Sequence, residues 1–367
     1  MDRRQFLLAG GALLLASTKG WPGRAPAAPG AAPVVVSAFD DRDGQHCLMG
    51  ADNQGGESFR LTVPERCHGG CVRPGQTQAV VFARRPGRHF YVLDSTRGQL
   101  VQQVPAGEEH HFYGHGVFSR DGRYLYATAS HFPSGEGLVR VYDARRGYRH
   151  HADYPVAGTG PHELRLHPDG DTLIVALGGI RTHPDYDRVK LNLDTMAPAL
   201  LLMDRHGGKI RQRWLPSHHQ LSCRHLDVSA DGLVIAGYQY EGPDWDNPPL
   251  LARLDTRNND FRELTLPGPQ QSSLRHYIAS IAISPVQPLA LVTAPRGQQA
   301  LILNTDSGEL LRSLSIPDAA GASAEADGSF LVSSGTGALY RIRPDRPDVD
   351  LLSRQSGHWD NHLTSLV

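Results

Sequence analysis

Residues 160–179 decide the fold of this chain, and they read GPHELRLHPDGDTLIVALGG. His162 stands at the entry of a short alternating strand, an Asp-Gly turn follows, and a second apolar strand begins at Thr172. Asp-Gly between two such runs is a strong hairpin signal, because glycine accepts the positive φ that these turns demand. The stretch therefore predicts an antiparallel hairpin with a histidine at its start.

The same plan recurs along the chain. It is clear in YGHGVFSRDGRYLYATAS (113–130) and SCRHLDVSADGLVIAGYQY (222–240), and looser in segments 67–84, 278–294 and 320–335. A third and a fourth strand follow each hairpin, so the repeat is four antiparallel strands every 43 to 61 residues. Repeats of this kind are typical of β-propeller blades.

Counting the repeats predicts seven blades. Six are complete, near residues 67–113, 114–159, 160–220, 221–274, 275–318 and 319–361. Strands in 34–66 and the tail 362–367 would form the seventh, and joining the two ends of the chain in one blade removes open sheet edges. We therefore expect an all-β, seven-bladed β-propeller over residues 34–367, closed by N-terminal strands that pair with the C-terminal strand.

The first residues indicate export. Arg3-Arg4 precede Phe6-Leu7 and an apolar run of 11 residues, which is too short to span a bilayer that needs roughly 20. Ala25-Pro26-Ala27 is a plausible cleavage site. The pattern resembles a twin-arginine (Tat) signal, so we expect a signal peptide at 1–27, a linker at 28–33 and a periplasmic protein. An ordinary secretory signal is the alternative.

Composition excludes some partners. The formal net charge is −1, or about −4 once residues 1–27 are removed, which leaves no basic field for nucleic acid. No later segment approaches a membrane span, and we expect a monomer. The four cysteines allow disulfides in an oxidising compartment, but their pairing cannot be read from the sequence; they are Cys47, Cys67, Cys71 and Cys223.

Histidines recur where each innermost strand begins, and the first three are spaced 47 residues apart. The propeller ring should bring them together at its axis, and the predicted metal ligands are His68, His115, His162, His225 and His362. Imidazoles without nearby carboxylates favour copper, zinc, iron or nickel over magnesium or calcium. We expect iron or copper as the cofactor. The alternative is structural: each ring would cap its strand by bonding the backbone of a neighbouring blade.

Loops after the second strands should share the same rim. The predicted ligand rim comprises His131, Arg181, His183, Tyr240, Trp245, His276 and Arg296, with Arg84 and Arg85 in an equivalent loop. Arginines beside aromatic residues could hold an anionic ligand such as a carboxylate or a metal chelate. Solvated loop charges are the alternative. Cys67 and Cys223 lie within two residues of a rim histidine, but disulfides are the expected state there.

The Arg-Arg start, the repeats GHGVFSRDGRYLYAT, GPHELRLHPDG and CRHLDVSADG, and the tail GHWDNHLTS resemble a bacterial family of exported proteins of unknown function. The resemblance covers the mature chain. Its members are often encoded beside imelysin-like iron-regulated proteins and di-haem-peroxidase-like proteins, which implies periplasmic handling of a metal, iron first, with imelysin-like proteins as partners. The repeats are more loosely similar to YVTN and lactonase-type propellers, whose acidic metal ligands are not recognisable here.

Three functions follow from these observations. The first is a periplasmic metal-binding propeller that takes part in metal uptake or handling. The second is an enzyme at the same mouth, either a lactonase-like hydrolase or a metal-dependent oxidoreductase, although no nucleophile elbow, zincin helix, phosphate loop or haem-attachment motif is present. The third is a non-catalytic platform for protein interactions, with purely structural histidines.

Overall fold

Seven antiparallel sheets make up the part of the chain that the computed structural model describes, residues 32–186 and 188–366. The predicted signal peptide at 1–27 and most of the predicted linker lie outside the described residues. The all-β, seven-bladed propeller predicted from the repeats is confirmed.

The strands follow one another in chain order. The N-terminal strands are β1 (Val35–Asp41), β2 (His46–Ala51) and β3 (Glu57–Thr62). Blade 1 contains β4 (Cys67–Val72), β5 (Gln78–Ala83), β6 (His89–Asp94) and β7 (Gln99–Pro105). Blade 2 contains β8 (His110–Phe118), β9 (Tyr124–His131), β10 (Glu136–Asp143) and β11 (Arg149–Pro155). Blade 3 contains β12 (Pro161–Leu166), β13 (Thr172–Leu177), β14 (Ala199–Asp204) and β15 (Ile210–Trp214).

The second half repeats the pattern. Blade 4 contains β16 (Leu221–Val228), β17 (Leu233–Tyr240), β18 (Leu251–Asp255) and β19 (Asp260–Leu264). Blade 5 contains β20 (Ser280–Ile283), β21 (Leu289–Ala294), β22 (Gln299–Asn304) and β23 (Leu310–Ser315). Blade 6 contains β24 (Ala319–Ala324), β25 (Phe330–Ser334), β26 (Ala338–Ile342) and β27 (Val349–Arg354). The last strands are β28 (Gly357–Trp359) and β29 (Thr364–Ser365).

The two ends of the chain close the ring in blade 7. Strand β1 pairs with β28 at Phe39–Trp359 and with β29 at Val35–Ser365, so the N-terminal strands and the C-terminal strand share one sheet, as predicted. Strand β28 was expected inside the sixth blade, but its pairing with β1 places it in the seventh. The innermost strands then pack side by side around the whole circle, from β4 to β8 and finally from β29 back to β4.

The Asp-Gly turns form the hairpins that the repeats predict. Gly170 has a φ of +79° and Gly232 a φ of +87°, a region that residues with a Cβ seldom adopt. Helix is scarce in the described residues: α1 spans Gly268–Ser273, and single 3-10 turns lie at Ala144–Arg146, Pro184–Tyr186, Leu193–Thr195 and Pro295–Gly297. No helix in this part of the chain has the length and apolarity to cross a membrane.

Apolar side chains fill the spaces between neighbouring blades. The second and third strands of the blades are almost wholly buried, as in β13 and β14, while outer strands such as β7 are mostly exposed. Between blades 1 and 2, for example, the rings of Phe82, Phe90 and Phe112 lie with their centroids 5.5 to 5.7 Å apart. This packing fixes the position of each innermost strand relative to the axis.

The cysteines do not form the disulfides expected of an exported protein. All four are free thiols. Cys67 and Cys71 lie four residues apart on one strand, a span of about 13 Å, whereas a disulfide needs Cα atoms within roughly 7 Å. Cys47 and Cys223 lie in other blades and are buried. Burial raises the pKa of Cys67 and Cys223, so these thiols are poor nucleophiles.

Candidate metal centre

The histidines stand where the innermost strands lose their regular register. Ladder shifts occur between Cys67 and Gly70, Phe112 and Gly116, Pro161 and Glu163, and Cys223 and His225. A β-bulge bends its strand and re-aims a side chain, which is how a polar ring can leave the sheet plane and point to the axis. The histidines at these shifts are His68, His115, His162 and His225. His362 lies in the gap between β28 and β29.

The ring brings the five predicted histidines into one buried cluster, called the histidine cluster below. Each is at most 8% exposed. Ring centroids are 4.4 Å apart for His68 and His362, 4.8 Å for His162 and His225, and 4.8 Å for His225 and His362. Residues from five blades therefore meet within one small volume.

Two sets of three histidines have ligand nitrogens within 4.8 Å of one another. One set is His68, His115 and His362; the other is His115, His162 and His225. His115 belongs to both. The cluster thus has enough donors, close enough together, to hold a metal ion.

Two buried carboxylates orient the imidazoles, which corrects the expectation of a cluster without nearby acids. Asp360 accepts a hydrogen bond of 2.5 Å from Nδ1 of His68. Glu163 accepts one of 3.1 Å from Nδ1 of His225 and lies 3.9 Å from Nδ1 of His115. A carboxylate on one ring nitrogen fixes the tautomer and leaves the other nitrogen's lone pair free. Both acids therefore act on the rings as positioning groups.

The cluster is neutral at pH 7. Burial, reinforced by the neighbouring imidazoles, lowers the pKa of His115, His162, His225 and His362 well below the ordinary value. Burial also lowers the pKa of His68, although Asp360 opposes that shift. Neutral imidazole is the form that binds metal ions, so the protein holds these ligands ready.

Three ring nitrogens of the cluster are buried without a hydrogen-bond partner in the described structure: Nε2 of His115, Nδ1 of His162 and Nε2 of His362. A buried polar atom left unsatisfied costs about 1–3 kcal/mol. None of the five rings bonds a backbone atom of the described residues, which is the contact that the strand-cap alternative requires. The unpartnered nitrogens are instead available to a ligand.

A cavity of about 210 Å³ opens next to the cluster, and His68 and His162 line it. The rest of its lining is mainly basic. Its cations are Arg84, Arg85, Arg188, Lys190, Arg224 and Arg296. The sequence predicted a mouth lined by histidines. The structure instead places basic side chains, most of them arginines, around the cavity, with the histidine cluster buried next to it.

Of the seven residues predicted for the ligand rim, Arg296 lines this cavity in the described structure, together with Arg84 and Arg85 of the equivalent loop. His276 donates from Nε2 to the carbonyl of Asp246 at 2.8 Å, and the side chain of Trp245 is 85% exposed. The rim residues placed elsewhere in the described structure are His131, Arg181, His183, Tyr240, Trp245 and His276. In the sequence, His276 lies several residues before the innermost strand of its repeat begins. This offset indicated that His276 is not equivalent to the histidines of the cluster.

The family model described as "Protein of unknown function (DUF1513)" matches residues 61–366. No curated protein sequence matches the chain significantly. Among solved structures, one described as Kuenenia stuttgartiensis hydrazine synthase is similar, with 14% identity and a TM-score of 0.62 over 91% of this chain and 99% of that chain. At that identity the likeness supports the propeller fold alone.

Proposed function

The chain belongs to this family of unknown function, and we propose that its histidine cluster binds a transition metal ion, iron or copper, in the periplasm. The observation that carries the proposal is the convergence of five neutral, buried imidazoles with three unpartnered nitrogens. A cation held by either set of three histidines would engage two of the rings that carry an unpartnered nitrogen. The residues proposed as ligands are His68, His115, His162, His225 and His362.

The donor set supports this class of metal. Imidazole nitrogen suits zinc, copper, iron and nickel, whereas magnesium and calcium prefer oxygen. Glu163 and Asp360 contact imidazole Nδ1 atoms, which matches the way carboxylates support histidine ligands at known metal sites. Iron and copper are preferred because the resemblance described above implies iron handling and because copper binds nitrogen donors tightly.

The export signal proposed for residues 1–27 fits a metalloprotein. The twin-arginine route carries proteins that have already folded, so a metal could be inserted before export. The histidines are at most 8% exposed, which favours loading of the ion while the ring closes or through the basic cavity. Metal handling together with imelysin-like proteins is the role we propose for the loaded protein.

The metal content of the protein purified from a metal-replete periplasm tests the proposal. We expect stoichiometric iron or copper in the wild type and its loss in His162→Ala and His225→Ala. His276→Ala is the matched control, because this histidine lies outside the cluster and should leave the metal content unchanged. Thermal melting of each variant shows whether it is folded.

A wild-type protein that stays free of metal after loading with either ion would overturn the proposal. If the alanine variants do not fold, the spectrum of the copper-loaded wild type decides instead. Nitrogen hyperfine coupling in electron paramagnetic resonance is expected for imidazole ligands, and its absence would contradict the assignment.

A further inference from the structure

The basic cavity carries more positive charge than the described residues around it neutralise. No carboxylate lines it in the described part of the chain. Glu241 does not line the cavity but forms ion pairs with both Lys190 and Arg224, which do. Asp360 lies 3.8 Å from Arg84 but is also bonded to His68. Six cations therefore face the cavity with two shared carboxylates behind them.

Arg85 is the least compensated of these cations. Its side chain is only 6% exposed, yet it makes no ion pair or hydrogen bond with any described residue. Burial, together with the guanidinium groups of Arg224 and Arg188, lowers the pKa of Arg85 to about 9. A buried guanidinium without a protein partner is costly, so the arrangement favours the approach of a negatively charged group from the cavity.

The neighbours of Arg85 point to the same conclusion. Arg188 and Arg296 are exposed at the mouth and make no ion pair with a described residue, and Arg296 lies 5.1 Å from the ring of Tyr277. Tyr277 in turn accepts a hydrogen bond of 2.8 Å from Asn361. Guanidinium groups bind carboxylate and phosphate in a bidentate manner, which gives such a wall geometric selectivity.

We propose that this cavity binds a small multivalent oxyanion, a molecule with two or more carboxylate groups or an inorganic phosphate. A cavity of about 210 Å³ suits a small organic acid or a phosphate ion. The inference rests on the arginines and goes beyond the metal-binding function. Where the histidine cluster holds a metal, an anion in contact with His68 and His162 would lie beside it.

Calorimetric titration of the metal-free protein tests the inference separately from the metal proposal. The probes are citrate, inorganic phosphate and, as a monovalent reference, acetate at matched ionic strength. We expect citrate, phosphate or both to bind at least about tenfold more tightly than acetate, a difference of about 1.4 kcal/mol. Citrate alone would identify a polycarboxylate site and phosphate alone a phosphate site. Equal or undetectable binding of all three would overturn the inference, even if the cluster binds metal.

Arginine variants locate the binding. Arg85→Gln and Arg188→Gln should each weaken the binding of the preferred anion by at least about tenfold, since each removes one charge-assisted contact. Arg213→Gln is the control, because Arg213 lies on the outer strand β15 and its guanidinium donates to the carbonyl of Ala157. If Arg85→Gln does not fold, the exposed Arg188 decides. Unchanged affinity in folded Arg188→Gln and Arg296→Gln proteins would refute the assignment.

Discussion

Replacing Glu163 by glutamine tests how the histidine cluster is positioned. This carboxylate is 2% exposed and accepts a hydrogen bond of 3.1 Å from Nδ1 of His225, while Nδ1 of His115 lies 3.9 Å away. Its other oxygen is 2.8 Å from Arg165. One acid thus contacts two of the proposed ligands and one half-buried cation.

The substitution keeps the size of the side chain and removes its charge. The amide holds the imidazole tautomers less firmly, and loss of such a partner typically weakens metal binding by about 10–100-fold, or about 1.4–2.7 kcal/mol. Arg165 retains Asp227 at 3.4 Å, so its charge is not left alone. We therefore expect the free energy of unfolding of the metal-free protein to fall by only about 1–3 kcal/mol.

Metal affinity is measured by competition with a chromophoric chelator, and stability by denaturant titration of the metal-free protein. Glu325→Gln is the matched control. Glu325 forms an ion pair of 2.7 Å with Arg341 in blade 6, and this blade contributes no histidine to the cluster. The control should lose some stability and keep its metal affinity. A folded Glu163→Gln protein with wild-type affinity would show that this carboxylate does not position the ligands.

Three further outcomes are expected. Folding lowers the pKa of the cluster histidines, so below about pH 6.5 the unfolded chain binds more protons than the folded protein. The free energy of unfolding should therefore decrease as the pH decreases, by up to about 1.4 kcal/mol per pH unit for each histidine. Denaturant titrations that give the same free energy of unfolding at pH 7.5 and pH 5.5 would contradict this. Gly69→Ala places a Cβ 2.6 Å from Nδ1 of His115, and should reduce metal affinity by displacing that ring, whereas Gly75→Ala, in an open turn, should not. Cys67 and Cys223 should resist a thiol reagent in the native protein and react in denaturant; rapid labelling of the native state would refute their burial.

Local chemistry made the fold predictable. Each Asp-Gly turn between alternating runs specifies a hairpin from within about twenty residues, and repetition then specifies the blade and the ring. The equal spacing of His68, His115 and His162 also carried three-dimensional information, because equivalent positions in neighbouring blades must face the same axis. The convergence of the cluster was therefore accessible from the sequence, although its use as a metal site stays a prediction.

The carboxylates that hydrogen-bond those histidines could not be predicted from the sequence in the same way. The contact between His68 and Asp360 joins residues 292 positions apart and exists only because the ring closes. Glu163 stands beside His162 in the stretch that decides the fold, yet its carboxylate serves His225 of the next blade. Register shifts at the bulges decide which neighbour points inward, and no periodicity in the sequence encodes them.

Closure of the ring also decides when the histidine cluster can form. Strands β28 and β29 bring Asp360 and His362 to the axis, where they meet His68. The cluster is therefore complete only once these strands have paired with β1. A prematurely terminated chain would lack both the acid on His68 and the fifth imidazole, and the open ring would expose β1 as an unpaired edge.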